Sequence, residues 1–195
     1  MVCKFPSATK NRLIVIQFLD NDECQTGYSL SKNVMQSSPY IGSVDFFASS
    51  NRDDILNYIY NDIPNIIAKD EIIAVYIDSH GFDTNNGIGH KNGFISWEEL
   101  VAAIKIAFNT LETRPTIILT ACNGISIKNT IAKLEEPICS KLYAGDGVML
   151  NGPVMGAFVR LFNNYGLDFG IKEVNILNQE LANRNNPPFI YIDYQ

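Results

Sequence analysis

Apolar runs too uniform for a one-sided sheet alternate along the chain with stretches of helical period. Leu13-Ile14-Val15-Ile16-Gln17-Phe18-Leu19 is a near-continuous apolar run, the pattern of a strand buried on both faces. A short, weak helix follows over Ser29–Gln36, and a second strand over Gly42–Phe47. From about Asp53, Ile55, Leu56, Ile59 and Ile63 fall on one helical face, with acidic Asp53 and Asp54 at its start and Pro64 disturbing its end. Ile72 to Ile77 is a third strand running into Asp78-Ser79-His80-Gly81. The polar stretch Asp83–Gly93 reads as a loop.

The clearest helix begins at Ser96, where Glu99 completes a capping box. Trp97, Leu100, Val101, Ile104, Phe108 and Leu111 form its apolar stripe. Pro115 precedes a fourth strand, Ile117-Ile118-Leu119, which leads into Thr120-Ala121-Cys122-Asn123-Gly124. A helix over Ser126–Leu134, a strand over Ile138–Ala144, a helix around Pro153 to Leu161, a helix over Ile171–Asn183 and a strand over Phe189–Asp193 complete the pattern. Such alternation predicts an α/β fold, a three-layer α/β/α sandwich with a mostly parallel central sheet. No composition shift divides residues 1–195, so a single domain is expected.

Charge and cysteine usage narrow the function. Apolar residues are 46% and charged residues 18% of the 195, the balance of a folded chain. A net charge of −6 lacks the basic stripe that nucleic-acid backbones require. Lys128, Lys133 and Lys141 are interleaved with Glu135 and Glu136 and read as a solvated face. No signal peptide or membrane span is expected. Cys3, Cys24, Cys122 and Cys139 show no metal-ligand spacing, so neither metal nor cofactor is implied, and free thiols suit a cytoplasmic setting.

His80 and Cys122 carry the candidate chemistry. Parallel neighbouring strands end at the same edge of a sheet, so these two strand-end residues are expected to meet as base and nucleophile. A thiol attacks a carbonyl only as thiolate, and an imidazole can take its proton and later protonate the leaving amine. Gly81 and Cys122 can supply backbone N–H donors for the oxyanion. The second histidine, His90, lies in the Asp83–Gly93 loop. A phosphatase loop would need Arg six residues after the cysteine, where Lys128 stands, and Gly87-Ile88-Gly89 opens no helix. Cys24 and Cys139 read as structural.

The pairing of an apolar strand into His80-Gly81 with an apolar strand into Ala121-Cys122-Asn123-Gly124 resembles the caspase-like cysteine peptidases: caspases, metacaspases, gingipains, legumains, separases and CHAT proteins. The 42-residue separation of His80 and Cys122 is close to the roughly 50 residues of the caspase arrangement. The segment Asn92–Leu100 resembles the strand-to-helix entry seen in that group, and Phe158–Phe162 through Pro187–Ile192 is similar to the CHAT end pattern of helix, helix and final strand. The resemblance implies a caspase-like fold and an acyl-enzyme mechanism acting on protein or peptide substrates through a Cys122–His80 dyad, without a third acid. It also implies a role for small relatives in bacterial defence or cell death.

Thr120 and Asn123 stand where caspases carry Gln and Arg, and metacaspases have an acid in place of Thr120, so neither subgroup's specificity is implied. Thr120 and Asp146 are the candidate substrate-binding residues. In relatives an acid in the Leu142–Gly147 region shapes a pocket for a basic P1 side chain, which a carboxylate binds by a charge-assisted pair. Asp146-Gly147 is equally a turn dipeptide. The competing reading is a caspase-like binding or regulatory module, catalytically silent or switched on by a separate activator protein.

Overall fold

The computed structural model describes residues 10–82, 85–90 and 93–194. Its centre is a six-stranded sheet, and the strands in chain order are β1 (Asn11–Phe18), β2 (Ser43–Ala48), β3 (Ile72–Ser79), β6 (Thr116–Leu119), β7 (Lys141–Gly145) and β8 (Phe189–Asp193). They lie side by side as β2-β1-β3-β6-β7-β8. The first five are parallel, and β8 closes the edge antiparallel to β7. The expected α/β/α layering is what the chain adopts.

Side-chain alternation explains both layers. Along β1, Ile14, Ile16 and Phe18 join one core with α2 (Arg52–Asn57), α3 (Ile63–Ile66), α4 (Trp97–Ala107) and α5 (Lys128–Ile131). Leu13 and Val15 point to the opposite core, shared with α1 (Thr26–Ser37), α6 (Asn151–Tyr165) and α7 (Ile171–Ala182). With both faces covered, a strand gains from apolar residues at every position, which is why these strands read as continuous runs.

Several expectations need correction. Helix α1 starts at Thr26, three residues before the expected Ser29. The side-chain oxygen of Gln17, on β1, accepts from the N–H groups of Gly27 (2.9 Å) and Tyr28 (3.3 Å). The cap thus comes from a strand, beyond the reach of local pattern. The helix from Arg52 runs through a π turn, Tyr58–Asp62, into α3. The expected helix over Ser126–Leu134 is a 3₁₀ turn, Gly124–Ile127, followed by the short α5. The expected Asp83–Gly93 loop holds a hairpin of β4 (Gly87–His90) and β5 (Gly93–Ser96); Asp83, Thr84, Lys91 and Asn92 lie outside the described residues. Four-residue strands rich in glycine carry almost no period for the sequence to display. The Ser96–Glu99 capping box opens α4 as its residues suggest.

Among the described residues no helix is long and apolar enough to cross a membrane. The strand order reverses direction between β1 and β3. Loops leaving the two strands' carboxyl ends diverge at such a switch point, and a crevice opens between them.

Candidate active site

His80 and Cys122 reach the same level of the sheet by register. Strands β3 and β6 pair Ile77 with Leu119, and the Thr120 N–H donates onward to the Ile77 carbonyl at 3.0 Å. His80 and Cys122 each lie three residues beyond that last pair. Contact between the two ends is tight. A Cβ built on Gly81 would sit 1.8 Å from the Cys122 carbonyl oxygen and 2.7 Å from its carbon. Only glycine lets these two backbones touch.

Gly81 also faces Ile88 of the hairpin in an antiparallel bridge. The bonds flanking that bridge run from Phe82 N–H to the Gly87 carbonyl (3.1 Å) and from Gly89 N–H to the His80 carbonyl (3.0 Å). In an antiparallel pair of this kind the central residue's own N–H and C=O point away from its partner. The Gly81 N–H is therefore turned away from the hairpin.

Cys122 stands on a sharp turn from strand to helix. Asn123 takes the left-handed conformation at φ 51°, and the Gly124 N–H closes the turn on the Ala121 carbonyl (3.1 Å). Three ties hold the turn. The Asn123 N–H donates to the Gly147 carbonyl (2.9 Å), and the Asn123 side-chain amide to Asn85 Oδ1 (2.9 Å). The Met149 N–H points at Cys122 Sγ (3.4 Å). The Asn85 carbonyl accepts from Trp97 Nε1 and from Ser126 Oγ, both at 2.8 Å. The loop behind His80 and the turn behind Cys122 are thus fastened to one another. Cys122 is half-buried.

On the other side of His80 lies a cleft of about 650 Å³. Asp20, Asp22 and Glu23 from the end of β1 line it, with His80, Gly81 and His90. Glu23 Oε1 lies 2.5 Å from His80 Nε2. The other Glu23 oxygen accepts from the Asp20 N–H (2.7 Å). Sequence reasoning missed Glu23. Its one available signal was position, an acidic run directly after an apolar strand that neighbours the histidine strand. His90 is not a loop residue: it ends β4, is buried, packs edge-on against Phe18, and places Nδ1 3.1 Å from Asp20 Oδ1.

The remaining expected residues fall in different places. Thr120 is 1% exposed, and its hydroxyl contacts the Ile77 carbonyl (3.1 Å) and Asp78 Oδ1 (3.4 Å). It faces inward, in support of Asp78. Asp78 is fully buried and also accepts from Thr26 Oγ1 (2.5 Å). Burial holds its carboxyl above the usual carboxylate range, against the bonds from Thr26, Gly27 and Thr120. Asp146 is exposed, in the loop after β7, with its N–H on the Pro188 carbonyl (3.0 Å). Cys139 is buried, which pushes its thiol up to about 12 and keeps it unreactive. Cys24 is exposed rather than part of the core, and Cys3 lies outside the described residues. Among the described residues no three His, Cys, Asp or Glu side chains converge as a metal site.

Neither a protein-family model nor a curated protein matches the chain in sequence. In fold it is similar to drICE, a caspase, with a TM-score of 0.59 at 13% identity, over 95% of this chain and 88% of that one. The fold is caspase-like.

Proposed function

We propose that this protein is a cysteine endopeptidase in which Cys122 is the nucleophile and His80 the acid–base. The observation that carries the reading is the level placement of His80 and Cys122 at the ends of adjacent parallel strands, with the Gly81 backbone against that of Cys122. A nucleophile raised on a strand-to-helix turn, a base beside it and backbone donors nearby are the parts acyl transfer needs.

In this mechanism the substrate carbonyl settles between Cys122 and the N–H groups of Gly81 and Cys122. The Cys122 thiol proton passes to His80, and the sulfur attacks the carbonyl carbon. Negative charge moves to the carbonyl oxygen, where the N–H donors stabilise it. The imidazolium then gives its proton to the departing amine, leaving an acyl-enzyme. Water, deprotonated by His80, releases the acid and restores the thiol. The carboxylates along the cleft and exposed Asp146 favour a basic P1 side chain. The setting is a reducing compartment that keeps Cys122 as thiol, and a separate protein can serve as activator.

Purified protein is tested on fluorogenic peptides that differ only at P1. Cleavage is expected after Arg or Lys and is lost in Cys122→Ala, while Asp146→Ala flattens the P1 preference by about tenfold. Unchanged cleavage by Cys122→Ala would sink the peptidase reading. An unchanged preference in Asp146→Ala would remove Asp146 from the pocket.

A further inference from the structure

Resting on that reading, we propose that Glu23 is a positioning residue for His80: its carboxylate holds Nε2–H and leaves Nδ1 bare as the base for Cys122. His80 has two ring nitrogens, and Glu23 Oε1 lies 2.5 Å from Nε2. A carboxylate only accepts, so the proton of this bond belongs to Nε2. A neutral imidazole carries one N–H, and its other nitrogen is then the lone-pair site.

The carboxylate is itself held in place. Its second oxygen accepts from the Asp20 N–H (2.7 Å), and the Glu23 N–H closes the turn on the Asp20 carbonyl (3.1 Å). The backbone under the ring is fixed as well. The His80 carbonyl accepts from Gly89 N–H (3.0 Å), and Ser79 Oγ donates to the Phe18 carbonyl (2.9 Å) at the end of β1. Glu23 and His80 therefore leave neighbouring strands whose ends are tied together. They meet across the crevice where strand order reverses.

The chemistry this adds is specific. When the S–H bond of Cys122 breaks, the proton goes to Nδ1 and the electron pair stays on sulfur. Nε2 keeps its own proton. The new positive charge stays on the ring and is balanced by the thiolate on one side and Glu23 on the other. Water reaches both partners, since the His80 side chain is 43% and the Glu23 side chain 32% exposed. Solvent screening therefore keeps the effect well below that of a buried triad.

The test compares Glu23→Ala and Glu23→Gln with the wild type by peptide turnover and by iodoacetamide alkylation of Cys122. Alkylation is mapped to each cysteine, with exposed Cys24 as the internal reference. Glu23→Ala is expected to lower kcat about tenfold or more with KM within about twofold, and to slow Cys122 alkylation in parallel. Glu23→Gln, which can still accept from Nε2–H, is expected to fall between the two. Proton NMR of the ¹⁵N-histidine protein should show a hydrogen-bonded Nε2–H of His80 that is lost in Glu23→Ala. An unchanged kcat, a rise in KM alone, or unchanged Cys122 alkylation overturns the proposal. If no peptide is cleaved even by the wild type, the peptidase reading fails separately, and alkylation and NMR still decide the role of Glu23.

Discussion

The two ends of the central sheet handle polar groups in opposite ways. At the amino end charges are matched with each other. Arg12 forks onto Glu71 with two bonds of 2.9 Å and reaches Asp45 at 2.5 Å, and Glu71 also accepts from the Ala68 N–H (2.9 Å). Lys10 pairs with Asp70, and Arg114 with Glu136. At the carboxyl end the two candidate residues, Cys122 and His80, stay partly exposed. Among the described residues Cys122 Sγ receives one long contact, from Met149, and Glu23 turns one oxygen to His80, while Asn123 and Gly81 adopt backbone arrangements that ordinary residues resist. Ion pairs at one end satisfy each other, and breaking the part-buried one at Arg12 costs stability. Groups left partly open at the other are where a chain departs from the most stable choice, and that departure is a mark of chemistry.

The largest expected effect comes from closing the gap at the carboxyl end. In Gly81→Ala the added methyl meets the Cys122 carbonyl carbon and oxygen, which are backbone atoms and cannot swing aside. The His80 and Cys122 segments must separate. Misplacement of reacting groups by about 1 Å costs on the order of 100-fold in rate, and overpacking of this kind costs about 1–3 kcal/mol. Peptide turnover and thermal unfolding measured together would check this. Full activity in Gly81→Ala would mean that the two strand ends are not coupled as described.

At the amino end the expected damage is to stability alone. Arg12→Ala strands Glu71 and Asp45 without their cation. With side-chain exposures of only 16% for Arg12 and 10% for Glu71, the loss should be about 2 kcal/mol, with kcat unchanged. Acid dependence should change with it. Burial pushes the Glu71 carboxyl up, but the bonds from Arg12 and the Ala68 N–H outweigh it and hold it below its ordinary 4.5. A carboxylate depressed on folding adds stability above its unfolded value, and that stability drains away as pH falls through the folded value. Urea unfolding between about pH 7 and about pH 3 should therefore show a shallower acid decline in Arg12→Ala than in the wild type. Parallel declines would contradict the pairing.

The same contrast explains what could be read from residues alone. Apolar runs announce β1, β3 and β6 because a strand covered on both faces needs apolar residues throughout. His80 and Cys122 were legible because they follow such runs directly, and register then brings them level. Glu23 was not, since its meaning depends on β1 lying beside β3. The start of α1 depends likewise on Gln17, a strand residue whose oxygen caps the helix from outside it. The hairpin β4–β5 was hidden by its length, and His90, read as a loop residue, is buried by it. Thr120 illustrates the limit of motif position: its place two residues before the cysteine suggested substrate contact, whereas its hydroxyl is directed at Ile77 and Asp78.

The smallest expected effect separates strain from tethering at the turn behind Cys122. Asn123 holds φ 51° and spends its side chain on Asn85 Oδ1. Asn123→Ala loses the tether and worsens the backbone, because a Cβ without local hydrogen bonding tolerates the left-handed region poorly. Asn123→Gly loses the tether and relaxes the backbone. Alanine should therefore be less stable than glycine by about 1 kcal/mol, and turnover should drop only a few-fold in both, since the bond from the Asn123 N–H to Gly147 and the one that closes the turn at Gly124 remain. Equal stabilities for the two variants would show that the turn is held by its tethers and not by the conformation of Asn123. The carboxyl end would then be less strained than its geometry indicates, and the contrast with the amino end would rest on Gly81 and the open polar groups alone.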